Sequence, residues 1–332
     1  MCQNSGSCYR GFCFCPFGYS GTYCEFSLDT KLTTTKSISK TSGSLNVTLK
    51  QTLNGHTSTF YALTTLQNGN IVSGSADKTI KIWNSDDGTL KRTLNGHRGV
   101  VNTLTTLSNG DLVSGSDDTT IKIWNPYNGT LKRTFNGHTL WVRALATLPN
   151  GDIVSGSKDN TIKIWNPNDG TLKRTLNGHN YSVMALITLL NGDLVSGSMD
   201  DTIKIWNPND GTLKRTLTGH THLVGSLITL PNGDFASGSD DSTIKIWNSN
   251  DGTLKRTLTG HSSGVLALTI LPNGFLVSGS YDKMIKIWNP NDGTLKRTIN
   301  GHTGSVITLT TLPNGDIVSG SGDRTIKIWS FS

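Results

Sequence analysis

The sequence predicts an all-β chain: a closed ring of seven four-stranded antiparallel sheets, preceded by a small cysteine-rich segment. Three observations carry this. Gly-His recurs at His56, His97, His138, His179, His220, His261 and His302, each interval 41 residues without an insertion. Trp follows the same period at Trp83, Trp124, Trp165, Trp206, Trp247, Trp288 and Trp329. The composition agrees: Glu25 is the only Glu among 23 acidic residues, and Thr, Ile and 37 Gly suit strands and turns better than helices. A repeat near 40 residues is one length at which a four-stranded unit recurs.

The third copy shows the elements in order. Residues 142–148 are strand-like, and Pro149-Asn150-Gly151-Asp152 is a turn. Residues 153–157 form a second strand and Lys158-Asp159-Asn160 a tight turn. Residues 161–165, Thr-Ile-Lys-Ile-Trp, alternate as a half-buried third strand. Asn168-Asp169-Gly170 turns the chain again, and residues 171–176 make the fourth. One such sheet cannot bury both faces, but sheets packed radially can. The seventh copy stops at Trp329 without its Leu-Lys-Arg strand. The matching stretch is Thr48-Leu49-Lys50-Gln51-Thr52-Leu53, so the N-terminal strand is expected to complete the last sheet and close the ring.

Gly-His, then Ser-Gly-Ser-x-Asp, then Ile-Lys-Ile-Trp, seven times over, resembles the WD-repeat β-propeller family across about residues 46–330. The Trp is followed by Asn or Ser330 where that family has Asp. The resemblance implies a structural hydrogen-bond tetrad in each blade: the Gly-His histidine, a strand Ser, the turn Asp and the Trp. Besides the histidines and tryptophans above, its members are Ser73, Ser114, Ser155, Ser196, Ser237, Ser278 and Ser319. The acids are Asp77, Asp118, Asp159, Asp200, Asp241, Asp282 and Asp323. Ser, His and Asp also make hydrolytic triads. A catalytic trio occurs once, in one cleft; this one occurs seven times at fixed spacing and reads as a buried network.

No nucleophile elbow, phosphate-binding Gly-Lys-Ser loop or His-Glu-x-x-His motif is present, so neither an enzyme nor a cofactor is expected. Nothing in the sequence is long and apolar enough for a membrane span. The net charge of +7 invites a nucleic-acid reading. Twenty of the 30 cations, however, sit in the repeated Ile-Lys-Ile-Trp and Leu-Lys-Arg phrases or their seventh-slot equivalent, Lys50. They are expected to form a solvated outer wall rather than a stripe.

The seven copies differ at few places. One is the third residue after Gly-His: Thr59, Val100, Trp141, Ser182, Leu223, Gly264, Ser305. Another is the fifth: Tyr61, Asn102, Arg143, Met184, Gly225, Leu266, Ile307. A third precedes the turn Asp: Ala76, Asp117, Lys158, Met199, Asp240, Tyr281, Gly322. Between the third and fifth residues lies Val, or Phe60, so the two flanking sites share a strand face. In the family that this chain resembles, these positions open onto the top face around the central channel. Trp141, Met184, Met199, Leu223, Leu266 and Tyr281 then form an apolar arc, Arg98, Arg143 and Lys158 a basic corner, and Asp117 and Asp240 acidic points. Aromatic, Met and Arg residues favour interface cores, so a protein or peptide partner is expected here, anchored by Trp141 and Arg143.

All five cysteines lie in the first 26 residues. Cys13-x-Cys15-Pro16-x-Gly18-Tyr19-x-Gly21-x-x-Cys24 resembles the C-terminal half of an epidermal-growth-factor-like module, and Cys2 to Cys8 the stretch between its second and third cysteines. The resemblance implies disulfides Cys2–Cys13 and Cys15–Cys24. Cys8 is left without its usual partner, so the chain is expected to start inside a longer natural sequence. A metal site is not expected: the cluster lacks His, and the family's calcium-binding acids precede Met1. The expected organisation is a partial disulfide module at 1–26, a Ser/Thr-rich linker at 27–45 and a propeller at 46–332. Asn46, Asn128 and Asn180 head glycosylation acceptor patterns. A disulfide module needs an oxidising compartment, so a secreted or cell-surface, monomeric, non-catalytic interaction protein is expected. The alternatives are an intracellular scaffold or substrate receptor and, less in keeping with the motifs, an enzyme.

Overall fold

The computed structural model describes residues 46–331 and two short strands, Ser7–Tyr9 and Phe12–Phe14. Contacts divide the chain into two units, Met1–Ser44 and Leu45–Ser332. In the first unit the two short strands pair antiparallel, with Cys8 opposite Cys13 in register. The expected disulfides Cys2–Cys13 and Cys15–Cys24 and the linker at 27–45 lie outside the described residues.

The second unit is seven four-stranded antiparallel sheets, each built from consecutive strands. Blade 1 runs Phe60–Thr65, Ile71–Ser75, Ile80–Trp83 and Leu90–Leu94, from the axis outward. The last blade borrows its outer strand: Val47–Leu53 pairs with Ile326–Phe331, Leu53 opposite Ile326 and Thr48 opposite Ser330. The ring is therefore closed by backbone hydrogen bonds between the two ends of the unit, which removes a free sheet edge.

Each core layer belongs to two blades. Leu66, Val72, Ile80, Ile82 and Leu94 of blade 1 pack against Val101, Leu112 and Trp124 of blade 2. The same layer recurs around the ring, including Ile326 and Ile328 of blade 7 against Phe60 and Trp83 of blade 1. A blade on its own would leave these side chains in water, at roughly 1.5–3 kcal/mol each. The Gly of Ser-Gly-Ser permits the approach: a Cβ on Gly74 would sit 2.6 Å from Val101 of the next blade.

The solvated wall is found only in part. Outer-strand residues such as Lys91 and Arg92 are exposed. Lys122, Lys204, Lys245 and Lys286 of the third strands are instead buried, the ammonium of Lys122 donating to Thr134 Oγ1 at 2.9 Å. A long aliphatic stem crosses the sheet, and the neighbouring strand's hydroxyl satisfies the charge at its tip. Arg133, Arg174 and Arg256 stitch blades together, each guanidinium donating to two carbonyls in the next blade's turn.

Candidate interaction surface

Antiparallel order sends the chain alternately to the two ends of the ring. The Gly-His loops and the Asp turns share one end, the top; the Asn-Gly turns share the other. Beneath the top rim lies the tetrad layer. In blade 1 the Trp83 indole N–H donates to Ser73 Oγ at 2.8 Å, Ser73 Oγ lies 2.8 Å from His56 Nε2, and His56 Nδ1 lies 2.7 Å from Asp77 Oδ2. Blades 2 to 4 keep all three contacts at 2.7–2.8 Å, through Trp124, Ser114, His97 and Asp118 and their counterparts. Blades 5 to 7 do the same.

Burial holds the imidazoles of His56, His220, His261 and His302 below the ordinary histidine range, against the pull of their aspartates. A neutral ring carrying its proton on Nδ1 donates to Asp and accepts the Ser hydroxyl at Nε2, so every group is satisfied. For Asp241 and Asp323 burial pushes upward, but hydrogen bonds from Thr243 and His220, and from Thr325 and His302, outweigh it and hold both at about 2. The seven serines are 0% exposed, with their hydroxyls engaged. No substrate carbonyl can reach them, and the trio cannot act as a nucleophilic triad while the blade is folded.

Above this layer the three variable positions of each blade are brought together. The backbone N–H of the residue before the turn Asp donates to the carbonyl of the third residue after Gly-His in all seven blades, as from Lys158 to Trp141 at 2.8 Å. A bulge in each inner strand, for instance between Val142 and Ala144, leaves the fifth residue out of the ladder and turns it to the channel rim.

Blade 3 carries the most developed group. The Arg143 guanidinium lies 4.6 Å and the Lys158 ammonium 3.8 Å from the centre of the Trp141 ring. Trp141 is half-buried and outside the core, and Lys158 is exposed. Arg143 Nη1 donates to Asn102 Oδ1 at 3.1 Å, and Asn102 Nδ2 donates to Asp117 Oδ1 at 2.7 Å and to the Val142 carbonyl at 3.0 Å. Two cations on one indole, held from behind by an amide, form an anchored cationic and aromatic corner.

Met199 and Tyr281 are exposed on the same rim, and Met184, Leu223 and Leu266 are half-buried. Tyr61, Arg143, Met184, Ser226, Leu266 and Ile307 line a central cavity of about 230 Å³. A larger recess of about 530 Å³ lies between the bottom turns of blades 2 and 3. Its charges are already spent: Lys132 pairs with Asp111 at 2.6 Å and Lys173 with Asp152 at 2.7 Å. Arg98 is exposed beside the Asp118 turn, and the side chains of Asn46, Asn128 and Asn180 are exposed as well. Among the described residues no group of three His, Cys, Asp or Glu is placed to hold a metal ion, and no helix is long and apolar enough to cross a membrane.

Two features escaped the sequence reading. One is the bulge, which no residue type announces here. The other is the Asn102–Asp117 pair, whose only trace is an Asn and an Asp at two variable positions of the same copy.

Seven stretches of the chain, residues 47–84, 88–125, 129–166, 170–207, 211–248, 252–289 and 293–330, match the WD40 family model, WD domain, G-beta repeat. No curated protein matches the chain.

Proposed function

The chain belongs to the WD40 repeat family, and from that premise we propose that it is a non-catalytic platform holding a protein or peptide partner on the top of the ring. The observation that carries this reading is the blade 3 corner. An aromatic ring and two cations are gathered at a rim that differs from blade to blade, while the layer beneath it repeats without change. Interface cores favour such Trp and Arg anchors, and the apolar residues Met184, Met199, Leu223, Leu266 and Tyr281 continue the same rim. Arg98, Arg143 and Lys158 lie among Asp117, Asp240 and the apolar arc, too mixed a surface for a phosphate-tracking stripe, so the partner is read as a protein rather than a nucleic acid. The ring is a complete unit and works as a monomer.

Affinity capture tests the location. Trp141→Ala is expected to weaken capture of the partner at least about tenfold. Leu190→Ala removes a side chain 59% exposed at the bottom end and leaves capture unchanged. Loss with Leu190→Ala, or with neither, contradicts a top-face partner.

The cysteine-rich start supports a secreted or cell-surface setting, since a module so small needs disulfides in place of a core. Counting free thiols on the protein from its own source tests this. Zero or one is expected; five would place the chain inside the cell, as a scaffold or substrate receptor.

A further inference from the structure

Blade 3 departs from the other copies at all three variable top positions. No other blade has an aromatic residue at the third position after Gly-His, a cation at the fifth, or a cation before the tetrad acid. The three exceptions, Trp141, Arg143 and Lys158, meet. Both charges sit on the same indole, 4.6 and 3.8 Å from its centre, and so lie within about one screening length (~8 Å at physiological salt) of each other. The ring attracts each cation but carries no net charge to offset their mutual repulsion.

Elsewhere on the ring such cations have partners. Lys132, Lys173 and Lys255 each pair with an aspartate, and Arg133, Arg174 and Arg256 give both terminal nitrogens to carbonyls of the next blade. Among the described residues, neither Arg143 nor Lys158 makes an ion pair, and the Lys158 ammonium has the indole face in place of an acceptor. The two acids linked to the corner are held elsewhere. Asp117 accepts from Asn102, and Asp159 is held by His138, Thr161 and the Thr139 N–H.

Both cations are within reach from solvent. Lys158 is exposed, and Arg143, half-buried, is the one charged residue lining the central cavity of about 230 Å³. Asn102 takes one guanidinium nitrogen of Arg143 at 3.1 Å, which fixes the group from behind and leaves its other two nitrogens free to donate. A basic side chain arriving here would add a third positive charge. An apolar one would desolvate two cations without a counter-ion. A carboxylate offsets both charges and accepts from both groups.

We propose that the blade 3 corner takes an acidic side chain of the protein partner, an aspartate or glutamate whose carboxylate meets Arg143 and Lys158 beside the Trp141 ring. This deepens the top-face reading and rests on it: Trp141 supplies the contact area, and the two cations select the charge of what lies on it.

The test screens the full chain against random hexapeptides on beads, acetylated at one end and joined through an amide at the other, so that no terminal carboxylate competes. Sequences held by the parent but not by Trp141→Ala should contain Asp or Glu at least about tenfold more often than Lys or Arg. The tightest of them is then measured in solution. Replacing its acid by the matching amide should weaken binding at least about tenfold, as should Lys158→Gln, whose exposed side chain leaves the fold intact. Lys78→Gln removes an exposed cation from the matching turn of blade 1 and should change binding less than about twofold. Equal binding of the amide peptide overturns the subsite, and so does an equal loss with Lys78→Gln, which would reduce the effect to general charge attraction. Trp141-dependent sequences no richer in acids than in bases overturn the acidic preference and leave the top-face reading standing. If no sequence depends on Trp141 the subsite fails, and the capture experiment judges the top-face reading separately.

Discussion

Blades 2 and 5 share one scaffold up to the rim and part there. Both have the Trp–Ser–His–Asp chain at 2.7–2.8 Å. Both bury a Val on the inner strand and set an Asp before the tetrad Asp. In blade 2 an Asn closes the rim on itself, joining Asp117, the Val142 carbonyl and Arg143 of blade 3. In blade 5 a Gly leaves the equivalent acid short of a donor. The lesson is that a repeated scaffold frees its rim from structural duty. One blade can use a rim position to brace its neighbour, while another leaves the same position unsatisfied, a local exception of the kind expected at functional sites.

The largest effect should show that the shared part is shared. Ser114→Ala in blade 2 and Ser237→Ala in blade 5 each strand an indole N–H and an imidazole nitrogen in the core. Each is expected to cost about 2–4 kcal/mol in urea unfolding, equally within error. A clear inequality would mean that the two scaffolds differ below the rim. Next, Asn102→Gly converts the blade 2 rim to the blade 5 arrangement. Loss of three hydrogen bonds, with Asp117 left as Asp240 is, should cost roughly 1–3 kcal/mol. The reverse exchange, Gly225→Asn, should stabilise by up to about 1 kcal/mol by pairing Asp240 and restricting the unfolded chain. A decrease in stability would show that Asp240 is already satisfied.

The smallest effect is one of pH. The folded-state pKa of Asp240 is raised above its ordinary value near 3.8. Its favourable contribution is therefore complete below that value and lost as pH rises through the raised pKa, so the ionised group lowers stability at neutral pH. Asp240→Asn should then be more stable than the parent at pH 7, with the gap closing near pH 3. Asp241 and Asp323 have the opposite sign: held at about 2, they contribute fully above 3.8 and lose that contribution as pH falls toward 2. Acid unfolding in that lower window belongs to the tetrads and should persist in the Asp240→Asn variant. A gap that widens on acidification contradicts the sign given to Asp240.

Much of the ring was legible because its signals are local and repeated. Residues 48–53 were readable as the missing strand since they copy Leu-Lys-Arg-Thr-Leu closely enough to fill its place, and Val47–Leu53 does pair with Ile326–Phe331. The buried lysines were not readable. Alternation in Ile-Lys-Ile-Trp marks the Lys as facing away from the isoleucines, but not that a Thr such as Thr134 waits on the adjacent strand. At the rim, the spread of residue types at Trp141, Arg143 and Lys158 was plain in the sequence. Their meeting on one indole depends on a cross-turn hydrogen bond and a one-residue bulge, neither of which has a residue signature. The shortage at Asp240 was hidden for a different reason: it is the absence of a partner, and it shows only when blade 2 supplies the comparison.

The location of the partner is tested most directly by backbone hydrogen exchange on the full chain, alone and with its captured partner bound. A top-face platform predicts added protection in the Gly-His loops and Asp turns of blades 3 to 6, residues 139–143, 158–160, 180–184, 199–201, 221–225, 240–242, 262–266 and 281–283, with the bottom turns unchanged. Protection confined to the bottom turns or the outer strands would contradict it.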